Sequence, residues 1–191
     1  MEQSQGIITR LTKLTDTSLI VHWFTADFGL IKTVAKGARR PKSPFAGRLD
    51  LFFSADIQWT RSRSSELHAL RESAPTDFRA AIRSDYHSTL LAAYFCRLLE
   101  ACVEPDHPEP ELHDLLRRAL DHIHAAGPSS KALFHFEHEV ARLLGLTHHR
   151  SQAAGVLKQS LGALPPQREA LLNALANPSN FPFPDSPSGP T

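Results

Sequence analysis

The sequence predicts an α+β protein in which a small β-barrel precedes an all-α domain. Two observations predict it: apolar residues recur with a period of two up to about residue 75, and with a period of 3.6 from there on. A third is that the first stretch has room for short strands and none for the crossover helices that a parallel sheet would need.

The strands follow in order. Residues 6–14 form the first, and residues 18–25 the second, which is β-rich and apolar on both sides, as a strand covered on both faces requires. Asp27-Phe28-Gly29 supplies a turn into a third strand over residues 30–36, making a hairpin. The clearest alternation lies in residues 51–59, where Leu51, Phe53, Ala55, Ile57 and Trp59 point one way, and Phe52, Ser54, Asp56 and Gln58 the other. Residues 66–73 complete the set. Five short, sequential, antiparallel strands specify a five-stranded OB-fold β-barrel.

Helical stripes begin beyond Pro75. They comprise Leu91, Phe95, Leu98 and Cys102; then Leu112, Leu115, Leu116, Ala119, Leu120 and Ile123; then Leu133, Phe136, Val140, Leu143 and Leu144. Prolines at 105–110 separate the first two helices, Gly127-Pro128-Ser129 ends the second and caps the third, and Gly145 follows the third. A shorter helix is predicted after Pro165-Pro166, with Leu171, Leu172 and Leu175 inward. The expected domains are therefore 1–75 (barrel), 76–176 (all-α helical domain) and 177–191, a disordered tail holding five prolines.

The net charge of +1 says nothing about an anionic partner, but the charge is unevenly placed. Residues 1–75 carry eleven Lys and Arg against seven Asp and Glu, or +4, and residues 76–191 carry ten against thirteen, or −3. Residues 32–48 hold six cations (Lys32, Lys36, Arg39, Arg40, Lys42, Arg48) and no acid. Two cysteines, Cys96 and Cys102, exclude a disulfide framework and fit a reducing intracellular compartment. Neither an export signal nor a membrane-spanning run is visible, so the cytoplasm is expected.

A binder of single strands needs cations that follow the phosphates and flat side chains on which bases stack. Arg39 and Arg40 can hold phosphate with two hydrogen bonds each, Lys36 and Lys42 act as point charges, and Gly37 and Ala38 leave room for close approach. Phe45, Phe52 and Trp23 are the candidate flat surfaces, Phe52 because it lies on the polar face of its strand. For Phe45 two readings stay open: it stacks on a base, or it plugs the barrel. Trp23 and Trp59 read as core. A short basic cluster is by itself most often a solvated surface, so its strand context has to decide.

The segment Gly29-Leu30-Ile31-Lys32-Thr33-Val34-Ala35-Lys36-Gly37-Ala38-Arg39-Arg40-Pro41-Lys42-Ser43-Pro44-Phe45-Ala46-Gly47-Arg48-Leu49 resembles the hallmark of the bacterial RecO family, a strand running into a Lys-Gly-Ala-Arg-Arg-x-Lys-Ser loop and a Phe-x-Gly-x-Leu close. Gly6-Ile7-Ile8-Thr9-Arg10, Glu66-Leu67-His68 and Gly145-Leu146 resemble further elements of it. The resemblance, which spans about residues 4–150, implies a non-enzymatic mediator of DNA repair and recombination. Such a protein binds and anneals single-stranded DNA and helps load recombinase on strands covered by single-strand-binding protein, in the RecFOR pathway on the nucleoid. Implied partners are single-stranded DNA, with double-stranded DNA a further candidate, RecR, and the C-terminal tail of single-strand-binding protein. That tail is acidic and ends in Phe, so it needs an apolar notch edged by a cation, with Arg97, Arg117, Arg118, Lys131 and Arg142 as candidates.

Many family members carry four zinc-binding cysteines beyond the Gly-Leu element, whereas residues 147–164 here contain none. His148 and His149 alone do not make a tetrahedral site, so no metal and no cofactor is expected. The same holds for His122 and His124, about 200° apart on a helix, and for His135 and His138, beside only Glu137 and Glu139. No phosphate loop, dinucleotide fingerprint or nucleophile elbow is present, and Asp121, Glu137 and Glu139 read as solvent-facing helix charges. An enzyme acting on DNA ends would need clustered carboxylates for two-metal chemistry, whereas the basic half offers only scattered acids, and magnesium-independent annealing would discriminate against it. The competing function is a helical protein-interaction adaptor with no direct DNA contact.

Overall fold

The computed structural model describes residues 1–176. Five strands, β1 (Glu2–Lys13), β2 (Leu19–Thr25), β3 (Gly29–Ala35), β4 (Ser54–Thr60) and β5 (Leu67–Asp77), close into a barrel in the order β1-β2-β3-β5-β4. Closure follows from the length of β1. Its first half pairs with β4, from Glu2 opposite Trp59, and its second half with β2, to Lys13 opposite Leu19, with a register shift between Ile8 and Arg10 that bends it. The last seam differs from the expected all-antiparallel sheet. β3 and β5 run parallel through Lys32 opposite Leu67, Thr33 opposite His68 and Val34 opposite Ala69, because the long loop after β3 lets β4 and β5 form a hairpin that returns to β3 from its far side.

Alternation fills the barrel. Ile8, Val21, Trp23, Ile31, Phe53, Ala55, Ile57, Trp59 and Leu70 form its core, and the Trp23 indole N–H donates to Thr33 Oγ1 at 2.9 Å. β2 is covered on both sides as its sequence requires, since Trp23 faces this core while Phe24 packs against the helices.

The helices are α1 (Ala80–Ser84), α2 (Tyr86–Cys102), α3 (Pro110–Ala126), α4 (Ser130–Leu143), α5 (Ala153–Leu161) and α6 (Gln167–Ala176), with a 3-10 turn over Arg150–Gln152. The three long ones arise where the stripes place them. Their caps are local: the Asp85 carboxylate accepts from the Ser88 amide at 2.7 Å, Ser129 Oγ from the Ala132 amide at 3.1 Å, and the Leu146 amide reaches back to the Ala141 carbonyl at 2.9 Å. Phe95 of α2 stacks on Phe136 of α4 at 3.9 Å between centroids. α1 and α5 were not expected, and in α6 Leu171 is buried while Leu172 and Leu175 are half-buried. The expected tail, 177–191, lies outside the described residues.

Barrel and bundle share a core. Ile7, Phe24 and Phe52 join the helical cluster, and Arg79, only 2% exposed, clasps the junction. Its guanidinium donates to the Phe52 carbonyl at 2.8 Å, to Ser54 Oγ at 2.9 Å and to Asp121 Oδ1 at 2.8 Å. Asp121 is thus a junction residue and not a free surface charge. On the other side Leu30 bridges to Pro105, and the Asp106 amide donates to the Leu30 carbonyl at 3.0 Å.

Gly29 makes that second contact possible. Its φ is +65°, and a Cβ there would stand 1.9 Å from the His107 carbonyl oxygen. Gly29→Ala should therefore combine left-handed strain with a backbone clash, lowering stability by roughly 3 kcal/mol, read as the shift of a urea unfolding midpoint. A midpoint within error of wild type would show that the contact gives way freely.

Candidate nucleic-acid interface

The loop between β3 and β4 is built as a series of tight turns. The amides of Ala38, Arg40, Ser43, Ala46 and Arg48 each donate to the carbonyl three residues earlier, at 3.0–3.3 Å. Its base is pinned to the β1–β2 turn: the Arg39 amide donates to the Thr17 carbonyl at 3.0 Å and the Gly37 amide to Ser18 Oγ at 3.2 Å. Gly37 takes φ +72°, a conformation that lets the chain leave β3 sharply. Phe45, 7% exposed, plugs the end of the barrel core and anchors the loop from its far side.

Lys36, Arg39, Arg40 and Lys42 are exposed on this framework, and among the described residues none has an ion-pair partner. Paired cations would have to give up a carboxylate to take a phosphate; these do not. The two outer cations of the set are placed differently. Lys32 lies on β3 and pairs with Glu66 at 2.8 Å, holding the Glu66 carboxyl below its usual range by direct hydrogen bonding and charge. Arg48 is exposed, and its guanidinium reaches the Ser73 carbonyl at 3.4 Å.

The expected flat surfaces are corrected. Phe45 is the barrel plug. Phe52 is 1% exposed: β4 starts at Ser54, so Phe52 lies before the strand with φ +67° and turns into the helical core. Trp23 is fully buried, in keeping with its reading as core. The aromatic of the barrel that does stand in solvent is Phe78, directly after β5 and 50% exposed. Sequence reasoning missed it, although one signal was there: it belongs to neither apolar period.

The helical domain carries a cavity of about 440 Å³ between α2, α3 and α4, floored by Phe95, Leu115, Ala119 and Phe136 and edged by Arg118 and Lys131, with Arg150 beside them. Of the five cations expected at such a notch, it brings together Arg118 and Lys131. Arg97, Arg117 and Arg142 instead pair with Glu100, Asp114 and Glu139 at 3.3, 2.7 and 2.9 Å. Arg118 pairs with Asp114 at 2.8 Å. No group of three or more His, Cys, Asp or Glu suited to a metal occurs among the described residues, and no helix there is long and apolar enough to cross a membrane.

A closed barrel in this strand order, with an exposed cationic loop and a helical bundle packed against it, defines an OB-fold protein. Residues 1–79 match the family model described as Recombination protein O N terminal, and residues 83–162 the one described as Recombination protein O C terminal. The chain belongs to the RecO family.

Three relatives called DNA repair protein RecO illustrate the likeness. That of Rhodopirellula baltica is 38% identical over 73% of this chain and 52% of its own length. That of Syntrophotalea carbinolica is 31% identical over 68% and 50%, and that of Listeria monocytogenes 31% identical over 76% and 56%. The chain spans about half the length of the curated relatives it matches. The names of these relatives assign them to DNA repair.

Proposed function

We propose that the chain grips single-stranded DNA on the loop at residues 36–42 and anneals complementary strands, serving as a mediator that helps load recombinase on strands covered by single-strand-binding protein. One observation carries the reading: four cations stand exposed, without carboxylate partners among the described residues, on a loop fixed at both ends. A fixed array of positive charges lowers the repulsion between two phosphate backbones while their bases stay free to pair. No bond is made or broken, so the reading needs no metal or other cofactor, and elemental analysis should return no stoichiometric zinc.

The direct test is the anisotropy of a labelled oligo(dT) titrated with the protein across salt concentrations. With about four phosphates neutralised, log K should fall with log salt at a slope near −3, from roughly 0.7 per contact. A slope near zero would remove the electrostatic site.

The helical cavity favours a partner contact within the same function. Its apolar floor and cationic edge suit the acidic, Phe-terminated tail of single-strand-binding protein. Lys131 and Arg150 have no ion-pair partner among the described residues. Lys131→Glu with Arg150→Glu should weaken a synthetic tail peptide by about tenfold, the loss of roughly 1.4 kcal/mol, and leave oligo(dT) affinity unchanged. Unchanged peptide affinity would place the tail elsewhere. A protein that bound the peptide but no DNA at any salt would be the adaptor of the competing reading.

A further inference from the structure

The cationic loop lacks half of what a single-strand site needs. The three rings weighed as stacking surfaces, Phe45, Phe52 and Trp23, are 7%, 1% and 0% exposed. Among the described residues, Phe78, Tyr86 and Phe134 are the aromatic side chains that stand well out in solvent. Phe134 belongs to α4 and Tyr86 to the first turn of α2, beside His87. Phe78 directly follows β5 on the barrel, and it is the one tied to the loop.

That tie runs through Phe53 and Arg83. Phe78 meets Phe53 edge to face at 4.9 Å between centroids, and Phe53 shares the barrel core with Phe45, the loop's plug. The Arg83 guanidinium lies 4.5 Å over the Phe53 ring, donates to the Phe78 carbonyl at 2.6 Å and pairs with Asp50, near the end of the loop, at 3.0 Å. The next residue, Arg79, is locked in the junction. Phe78 is therefore held from behind and through its backbone, while half of its surface remains in water.

We propose that Phe78 is the stacking platform of the DNA site, on which an unpaired base rests while its strand's phosphates lie on residues 36–42. The inference rests on the DNA-binding reading and deepens it. An immobilised exposed ring costs little further order on binding, and every base offers it a π-face, so the contact is blind to sequence. Bases inside a duplex are already stacked on both faces, so Phe78 makes the site select single strands over double, a choice that the cations cannot make.

The test uses the full chain, a labelled oligo(dT) and an abasic oligomer of equal length, which keeps the phosphates and lacks the bases. Phe78→Ala and Phe78→Leu should each weaken oligo(dT) by about tenfold, and Phe78→Trp should hold it at least as tightly as wild type. All three should bind the abasic oligomer like wild type with unchanged salt slope, and the new Trp should be quenched by oligo(dT) alone. Leu keeps the apolar bulk without the π-face, so wild-type affinity in Phe78→Leu would reduce the residue to packing and overturn the proposal. So would wild-type affinity in Phe78→Ala, or equal wild-type affinity for the two oligomers; in each case the cationic loop reading stands. Failure of the wild-type protein to bind either oligomer would remove both.

Discussion

Replacing Arg39, Arg40 and Lys42 together by alanine should weaken oligo(dT) binding on the order of 100-fold at low salt, if each lost contact to a charged phosphate is worth about 1 kcal/mol. The salt slope should fall with it, from near −3 toward roughly −0.7, because a single phosphate contact of the four remains. Stability should hold. The three side chains are exposed and unpaired among the described residues, and the loop is kept in place by bonds that alanine preserves: the Arg39 amide on Thr17, the turn amides, and Phe45 in the barrel. Wild-type affinity in the triple variant, with an unchanged slope, would take the loop out of the mechanism.

The second large effect is on folding. Glu137, 1% exposed inside the bundle, accepts from the Tyr94 hydroxyl at 2.5 Å and from the Arg168 guanidinium at 2.6 and 3.0 Å, joining α2, α4 and α6. Burial, with the Glu137 charge beside it, pushes the Tyr94 hydroxyl far above its usual range. Arg168→Ala leaves the buried Glu137 carboxylate without its cation and should cost about 3–5 kcal/mol. Glu137→Leu should cost less, roughly 1–3 kcal/mol, since the Arg168 side chain, 20% exposed, can turn outward and mainly the Tyr94 hydroxyl is orphaned. Urea unfolding ranks the two. The reverse order would mean that Glu137 is stabilised chiefly by something other than Arg168.

Most of the architecture could be read from the chain because it is written in local periods. The strands around Val21, Ile31 and Ile57 and the helices around Phe95, Leu116 and Phe136 follow from alternation or stripes over many residues. What could not be read was set by contacts remote in sequence. The parallel seam of β3 with β5 depends on where the β4–β5 hairpin lands, which no local pattern encodes. α1 spans five residues and buries only Ile82, and α5 buries only Ala153 and Leu157, too few to make a stripe.

The site shows the same division. The cations were legible because an unbroken basic run is a property of sequence. The aromatics were not, because the face opposite the barrel core, to which alternation assigns Phe52, is covered by the helices and not by solvent, and no local pattern encodes that cover. Glu137 misled in the opposite sense. A charge on an amphipathic helix reads as solvent-facing, and its burial is made tolerable by two partners remote in sequence, Tyr94 of α2 and Arg168 of α6.

Lysine acetylation mapped by mass spectrometry, with and without saturating oligo(dT), tests the grip of the loop most directly. The account predicts that the bound strand shields Lys36 and Lys42 while Lys158, on α5 in the helical domain, reacts as before. It is contradicted if the strand is bound, as anisotropy of the same sample would show, and Lys36 and Lys42 still react at the rates of the free protein.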